Sequence, residues 1–184
     1  MPLNFDLKKI KDDEKCNIYF ETGLWDVVAE DTSLCKAITM GFDKCFSVEI
    51  NNDLVQLAKN KFKDEFTNGS LDIFTGDSRN LKDYFEKIKF LDNDRIVFFL
   101  DSHGHGHGCP LIEELDAIKD MNFTIKPIII LDDVRIIRDC VWSDNRYAGA
   151  TFEDVLKKKL MEINKDYEFS YLDGHIKDDC LMAS

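Results

Sequence analysis

The sequence has 184 residues, enough for one domain with one hydrophobic core. Hydrophobic residues make up 44% and charged residues 33%, which excludes a disordered chain, and no apolar run reaches the roughly 18 residues of a membrane helix. The formal net charge of −12 repels phosphate backbones and excludes duplex nucleic acid as the main partner.

Met1 to Lys15 is mostly polar and lacks the apolar centre of a signal peptide, so a cytoplasmic location is expected, with no membrane partner. In chain order, apolar runs of strand length then alternate with segments of helical period. Ile18–Glu21 reads as a short strand ending at Thr22-Gly23. A helix over Ser33–Met40 follows, capped by Asp31, Thr32 or Ser33. Cys45–Ile50 is the second strand. Asn52–Phe66 is the helix after it, with Asn51 or Asn52 as cap and Leu54, Leu57, Ala58, Phe62 and Phe66 on one stripe. Leu71–Thr75 is the third strand, and Leu81, Tyr84, Phe85 and Ile88 form the next stripe. Arg95–Leu100 and Pro127–Leu131 are nearly all apolar, as strands covered on both faces are. Between them lies the stripe Leu111, Ile112, Leu115 and Ile118, and after them the stripe Phe152, Val155, Leu156, Leu160 and Ile163. Tyr167–Leu172 and Cys180–Ala183 are two strands with no helix between them, joined through the turn signal Asp173-Gly174.

Repeated strand–helix alternation predicts an α/β fold, a doubly wound Rossmann-like sheet with helices on both faces and a C-terminal antiparallel hairpin. Residues 1–184 show no linker or repeat and read as a single domain. The six cysteines, Cys16, Cys35, Cys45, Cys109, Cys140 and Cys180, never stand at C-x-x-C spacing, so they read as reduced thiols rather than a zinc or redox motif.

Ligands of open α/β sheets bind beyond the carboxyl ends of the strands. The residues there are Glu21-Thr22-Gly23, Glu49, Gly76-Asp77-Ser78, Asp101-Ser102-His103 and Asp132-Asp133. Each alone suits a helix cap, but five strands delivering acidic side chains to one edge suit a nucleotide site. Glu49, at the end of the second strand, is placed to accept from ribose hydroxyls. Gly23 lets the first turn approach a ligand closely. Asp77 either accepts from an adenine amino group or caps the following helix. Asp101, His103, Asp132 and Asp133 form a second constellation, able to chelate Mg²⁺ or another divalent ion, or to use His103 as a general base. The further histidines His105 and His107 read as adventitious. Asp133, Arg135 and Arg138 are candidates for salt bridges, and Arg135 also for holding an anionic substrate group.

The ordered set Glu21-Thr22-Gly23, Ser47-Val48-Glu49, Gly76-Asp77-Ser78, Leu100-Asp101-Ser102-His103, Cys109-Pro110-Leu111-Ile112-Glu113-Glu114-Leu115 and Leu131-Asp132-Asp133-Val134-Arg135 resembles class I S-adenosylmethionine-dependent methyltransferases. It looks closest to a group of bacterial and viral proteins of mostly unassigned substrate. Asp179-Cys180-Leu181-Met182-Ala183 looks like that group's last strand. The resemblance implies a seven-stranded sheet with the last strand inserted antiparallel, and S-adenosylmethionine as cofactor. By it, Glu21 and Gly23 belong to the cofactor loop, with Gly23 lining the methionine part. Glu49 holds the ribose, Asp77 and Ser78 lie near the adenine, and Asp101 lies beside the reactive methyl. Asp101, Asp132 and Asp133 match the Mg²⁺ places of related sugar and macrolide O-methyltransferases. The implied activity is O-methylation of a small molecule or sugar, with Asp101 or His103 as base, in a chain whose exposed Phe residues would support a homodimer. The first loop, Leu24-Trp25-Asp26-Val27-Val28-Ala29-Glu30-Asp31, lacks the second glycine usual in that group. Its bulky Trp25 and Val27 either block the methionine pocket or reshape it. A chain with a blocked pocket would be a non-catalytic interaction module on the same fold. The absence of G-x-G-x-x-G argues against a nicotinamide-dependent oxidoreductase.

Overall fold

The structure, a computed structural model, describes residues 3–102, 109–138 and 151–184. Five strands lie parallel: β1 (Ile18–Thr22), β2 (Lys44–Glu49), β3 (Leu71–Thr75), β4 (Ile96–Leu100) and β5 (Ile128–Leu131). Two more, β6 (Phe169–Leu172) and β7 (Cys180–Ala183), complete one sheet in the order β3-β2-β1-β4-β5-β7-β6. β7 runs antiparallel to both of its neighbours. Fold class, strand number and the inserted last strand agree with expectation.

Alternation along the strands splits the core in two. Phe20, Phe46, Phe98, Leu100, Ile129 and Leu131 face α5 (Leu81–Phe85), α6 (Leu111–Met121) and α8 (Phe152–Ile163). Tyr19, Cys45, Val97, Phe99, Ile128 and Ile130 face α1 (Leu7–Glu14), α2 (Ser33–Thr39) and α3 (Asn52–Lys61). Both faces of β4 and β5 are therefore covered, which is why their sequences are apolar throughout. Phenylalanines fill the first layer edge to face, as Phe20 with Phe85 and Phe90 with Phe123, each pair 5.3 Å between ring centres.

Two expectations change. The helix after β2 breaks at Phe62 (φ −104°, ψ 39°), and α4 (Lys63–Asn68) starts afresh. Its buried stripe runs through Val55, Ala58 and Phe62, at i, i+3 and i+7, so Leu57 falls off the stripe and is 48% exposed. α1 and the short α7 (Val134–Arg138) were not legible in the sequence. α1 buries only Leu7 fully and rests on local devices instead: Asp6 accepts from the Lys9 N–H at 2.8 Å, and Lys8–Asp12 and Lys9–Asp13 pair across one turn. Among the described residues no helix is long and apolar enough to cross a membrane.

Candidate functional site

The parallel register brings the strand exits to one edge, and each exit is bonded to the next. Gly23 N–H donates to Val48 O (2.9 Å), Gly76 N–H to Glu49 O (2.9 Å), Asp101 N–H to Thr22 O (2.9 Å) and Asp132 N–H to Leu100 O (3.1 Å). Gly23, at φ +86°, turns the chain where a Cβ would lie 2.2 Å from the Asp101 carbonyl oxygen. Glycine is thus required by the packing of the first turn on the end of β4. The turn sets the Leu24 N–H 2.7 Å from Glu49 Oε2, and the Asn51 N–H donates to Oε1 at 2.6 Å. Glu49 is 7% exposed. Burial pushes its carboxyl above the usual range, while the N–H groups of Asn51 and Leu24 pull it back. The Ile50 N–H is a third backbone donor to it, which leaves the carboxylate part of its acceptor capacity for a further donor. Beside it Ile50 stands half exposed.

Glu21 turns to the opposite side of β1 and is enclosed. Its oxygens accept from the Ser33 hydroxyl (2.6 Å), the Tyr19 hydroxyl (3.0 Å) and the Ser47 hydroxyl (3.1 Å), and no part of it reaches the surface. Expected in the cofactor loop, Glu21 here braces the start of α2 against β1 and β2. Burial pushes its carboxyl up, and the hydroxyls pull it back. Asp77 caps the 3-10 turn Ser78–Asn80, accepting from the Arg79 N–H at 2.9 Å and pairing with its guanidinium at 2.8 Å. The Ser78 hydroxyl donates to Ser102 (3.0 Å), whose hydroxyl donates to the fully buried Glu114 on α6. Three motifs separate in sequence thus meet in one partly buried chain of hydrogen bonds. On the same face of β1 as Phe20, the buried Thr22 hydroxyl has no hydrogen-bond partner among the described residues, and a ligand or water could satisfy it.

The bulky loop residues separate. Val27 packs into the core with Leu24 and Leu34, and its carbonyl accepts from Lys61 Nζ at 2.6 Å, whereas Trp25 is 65% exposed.

Beyond β5 and before β7, carboxylate oxygens of Asp132, Asp133 and Asp179 lie within 4.8 Å of one another. The three residues are 2%, 6% and 1% exposed. Asp132 Oδ1 accepts from the Asp133 N–H (2.8 Å) and the Cys180 thiol (3.0 Å). Asp133 sits in the left-handed region at φ 57°. The Arg135 guanidinium pairs with Asp133 at 2.5 Å and with Asp179, and the Arg135 N–H donates to Asp179 Oδ1 at 3.2 Å. Asp179 therefore stands where Asp101 was expected to complete the set. Asp101 lies outside this group, yet burial first, and then the charges of Asp132 and Asp133, drive its carboxyl well above the usual range. The donor set is of the hard-oxygen type that suits Mg²⁺ or Ca²⁺, but the guanidinium already faces the oxygens of two members, so the set as it stands does not fit a divalent ion. His103, His105, His107, Cys140 and the side chain of Arg138 lie outside the described residues.

No family model matches the chain, and no curated protein matches it. Solved structures do. An O-methyltransferase of tomaymycin synthesis from Streptomyces achromogenes, in complex with S-adenosylmethionine, superposes with a TM-score of 0.58 at 12% identity, over 96% of this chain and 76% of that one. A methyltransferase from Podospora anserina with S-adenosylhomocysteine bound gives 0.54 at 12% identity, over 96% and 74%. A spermidine synthase from Thermotoga maritima gives 0.52 at 10% identity, over 92% and 54%. At these identities the likeness is one of fold.

Proposed function

We propose that this chain, which has the fold of class I S-adenosylmethionine-dependent methyltransferases, binds S-adenosylmethionine and methylates a hydroxyl of a small molecule or sugar. The observation that carries this reading is the Glu49 clamp, a nearly buried carboxylate at the end of β2, oriented by the Leu24, Asn51 and Ile50 N–H groups with part of its acceptor capacity left. Such a carboxylate suits the two ribose hydroxyls of a nucleoside. The apolar face of Ile50 beside it suits a flat base, and the Thr22 hydroxyl, without a partner among the described residues, can donate or accept.

When bound, S-adenosylmethionine supplies an electrophilic methyl on a sulfonium. The rest falls to the chain. Its task in a direct displacement is to align the acceptor oxygen and take its proton. Asp101 suits the second role, because a carboxylate pushed up by burial and by Asp132 and Asp133 is a stronger base once ionised. His103, two positions on, is the alternative base. The acceptor oxygen gains the methyl as its proton passes to Asp101 or His103. No step here uses a metal.

A second reading, a non-catalytic interaction module, draws support from one contact: the Asp101 backbone closes directly on Gly23. Calorimetric titration with S-adenosylhomocysteine separates the two. Micromolar binding is expected, weakened at least about tenfold (about 1.4 kcal/mol) by Glu49→Ala. Absence of binding in the native protein would favour the module, and equal binding by Glu49→Ala would remove Glu49 from the cofactor site.

A further inference from the structure

We infer that the outer edge of β3, with the groove between it and α3–α4, is a docking site for an extended acidic segment of another protein, which would join the sheet as a further strand with its carboxylates over Lys59 and Lys63. The inference stands whether or not the chain transfers methyl groups, since peptide binding alone reads it.

β3 ends the sheet, with β2 on one side only. The Cys45 N–H donates to Ser70 O at 2.8 Å, and the Gly76 N–H to Glu49 O at 2.9 Å. In a parallel pair the backbone groups of alternate residues turn to the same neighbour. Residues 70, 72, 74 and 76 therefore face β2, and Leu71, Ile73 and Thr75 present their N–H and C=O groups outward. Among the described residues no backbone hydrogen bond reaches those outward groups. The Leu71 and Ile73 side chains are buried in the core, so the edge is held in place while its backbone stays open. Edge strands are commonly guarded by proline, by lysine on the strand or by a bulge. Leu71–Thr75 carries neither residue, and its register with β2 is unbroken. Its one charge, Asp72, alternates to the other face of the strand from Leu71 and Ile73.

The groove beside the edge says what would fill it. It is open, about 470 Å³ in volume, and lined by Lys59, Lys63, Phe66, Thr67, Asp72 and Ile73. Lys59 on α3 and Lys63 at the start of α4 bring two cations against the single carboxylate of Asp72, in a chain whose net charge is −12. Lys59 Nζ stands 5.9 Å from the centre of the Phe66 ring, which sets positive charge beside an apolar surface. A strand added along β3 would alternate its side chains. Those on the α3–α4 side would meet the two lysines and the ring, which suits Glu, an apolar stem ending in a carboxylate. Those on the other side would meet Asp72, which suits neutral residues. Main-chain bonds would supply affinity and the alternation would supply specificity. A second copy of this chain fits less well, because β3 against β3 would set lysines near lysines and Asp72 near Asp72.

The test uses the whole protein and a capped peptide that alternates Glu with Thr, followed by calorimetry and by amide hydrogen exchange. The peptide is expected to bind, and rising salt to weaken it. The N–H groups of Leu71, Ile73 and Thr75 should gain protection, while those of Asp72 and Phe74, which face β2, should change little. Lys59→Glu combined with Lys63→Glu should weaken binding at least about tenfold. Should that variant fail to fold, a peptide alternating Lys with Thr decides on the native protein: binding at least about tenfold weaker than that of the Glu peptide supports the inference, and equal binding overturns it. No binding of the Glu peptide into the millimolar range would also overturn it, as would binding that leaves the three outward amides unprotected. A native dimer in sedimentation that protects the same three amides would overturn it too, since the edge would then belong to a second copy.

Discussion

Replacing Gly23 with alanine strikes the closest contact of the strand-exit edge. The new Cβ would stand 2.2 Å from the Asp101 carbonyl oxygen, 2.7 Å from its carbon and 2.9 Å from Ser102 Cα. All three are backbone atoms, so no side chain can rotate out of the way. The end of β4 must move off β1 by about 1 Å to reach ordinary van der Waals distance. Holding alanine at φ +86° costs a further left-handed penalty. Left-handed cost and overpacking together come to about 2–5 kcal/mol. In a chain of 184 residues each kcal/mol moves the melting point by about 2–4 °C, so a loss of roughly 4–20 °C is expected in a circular-dichroism melt. S-adenosylhomocysteine affinity should fall with it, measured at a temperature where the variant is folded. A melting point within about 2 °C of native would refute the close packing of the first turn on β4.

Two further outcomes follow from the buried carboxylates. Asp101 holds its proton more tightly when folded than its ordinary pKa of 3.8 allows in the unfolded chain, so its contribution to stability is full below that value and lost as pH rises through the folded pKa. Asp101→Asn, fixed neutral, should melt with the native protein in acid and above it at neutral pH, and a gap that does not change with pH would sink this account. Tyr19→Phe removes one of the three hydroxyl donors to Glu21 and should cost about 1.5–3 kcal/mol in denaturant unfolding. The Tyr19 hydroxyl also holds the Glu21 pKa down, so the loss should grow as pH rises; a cost under about 0.5 kcal/mol would mean that the bond contributes little.

The strands were legible because their composition follows directly from burial. Ile128–Leu131 has no polar residue, since both of its faces are covered, and Leu71–Thr75 matched to the residue. The acidic strand ends were equally visible, as the register that gathers them follows from strand order. What the sequence could not show was which way each carboxylate faces. Glu21 and Glu49 stand at the ends of adjacent strands, yet one is sealed under three hydroxyls and the other keeps a rim position. The partner of Glu21 on α2, Ser33, lies twelve residues away across a loop with no regular period. Asp179 was missed as a neighbour of Asp132 and Asp133 because the contact spans more than forty residues and depends on β7 entering beside β5. Its only signal was the carboxylate directly before the last strand. α1 escaped notice because Leu7 alone is fully buried there, too little to make a period.

The insertion of β7 sets an order of events during synthesis. β5 and β6 lie next to each other in chain order among the strands but share no hydrogen bonds, because β7 stands between them. As the chain leaves the ribosome, β1 to β5 can assemble while β5 still shows an open edge of isoleucine and leucine. β6 has nothing to pair with until residues 180–183 emerge. Until then the nascent protein carries an unprotected apolar strand edge, the kind of surface that other chains pair with. Four residues late in the sequence therefore govern whether the emerging chain closes on itself or is captured by a neighbour.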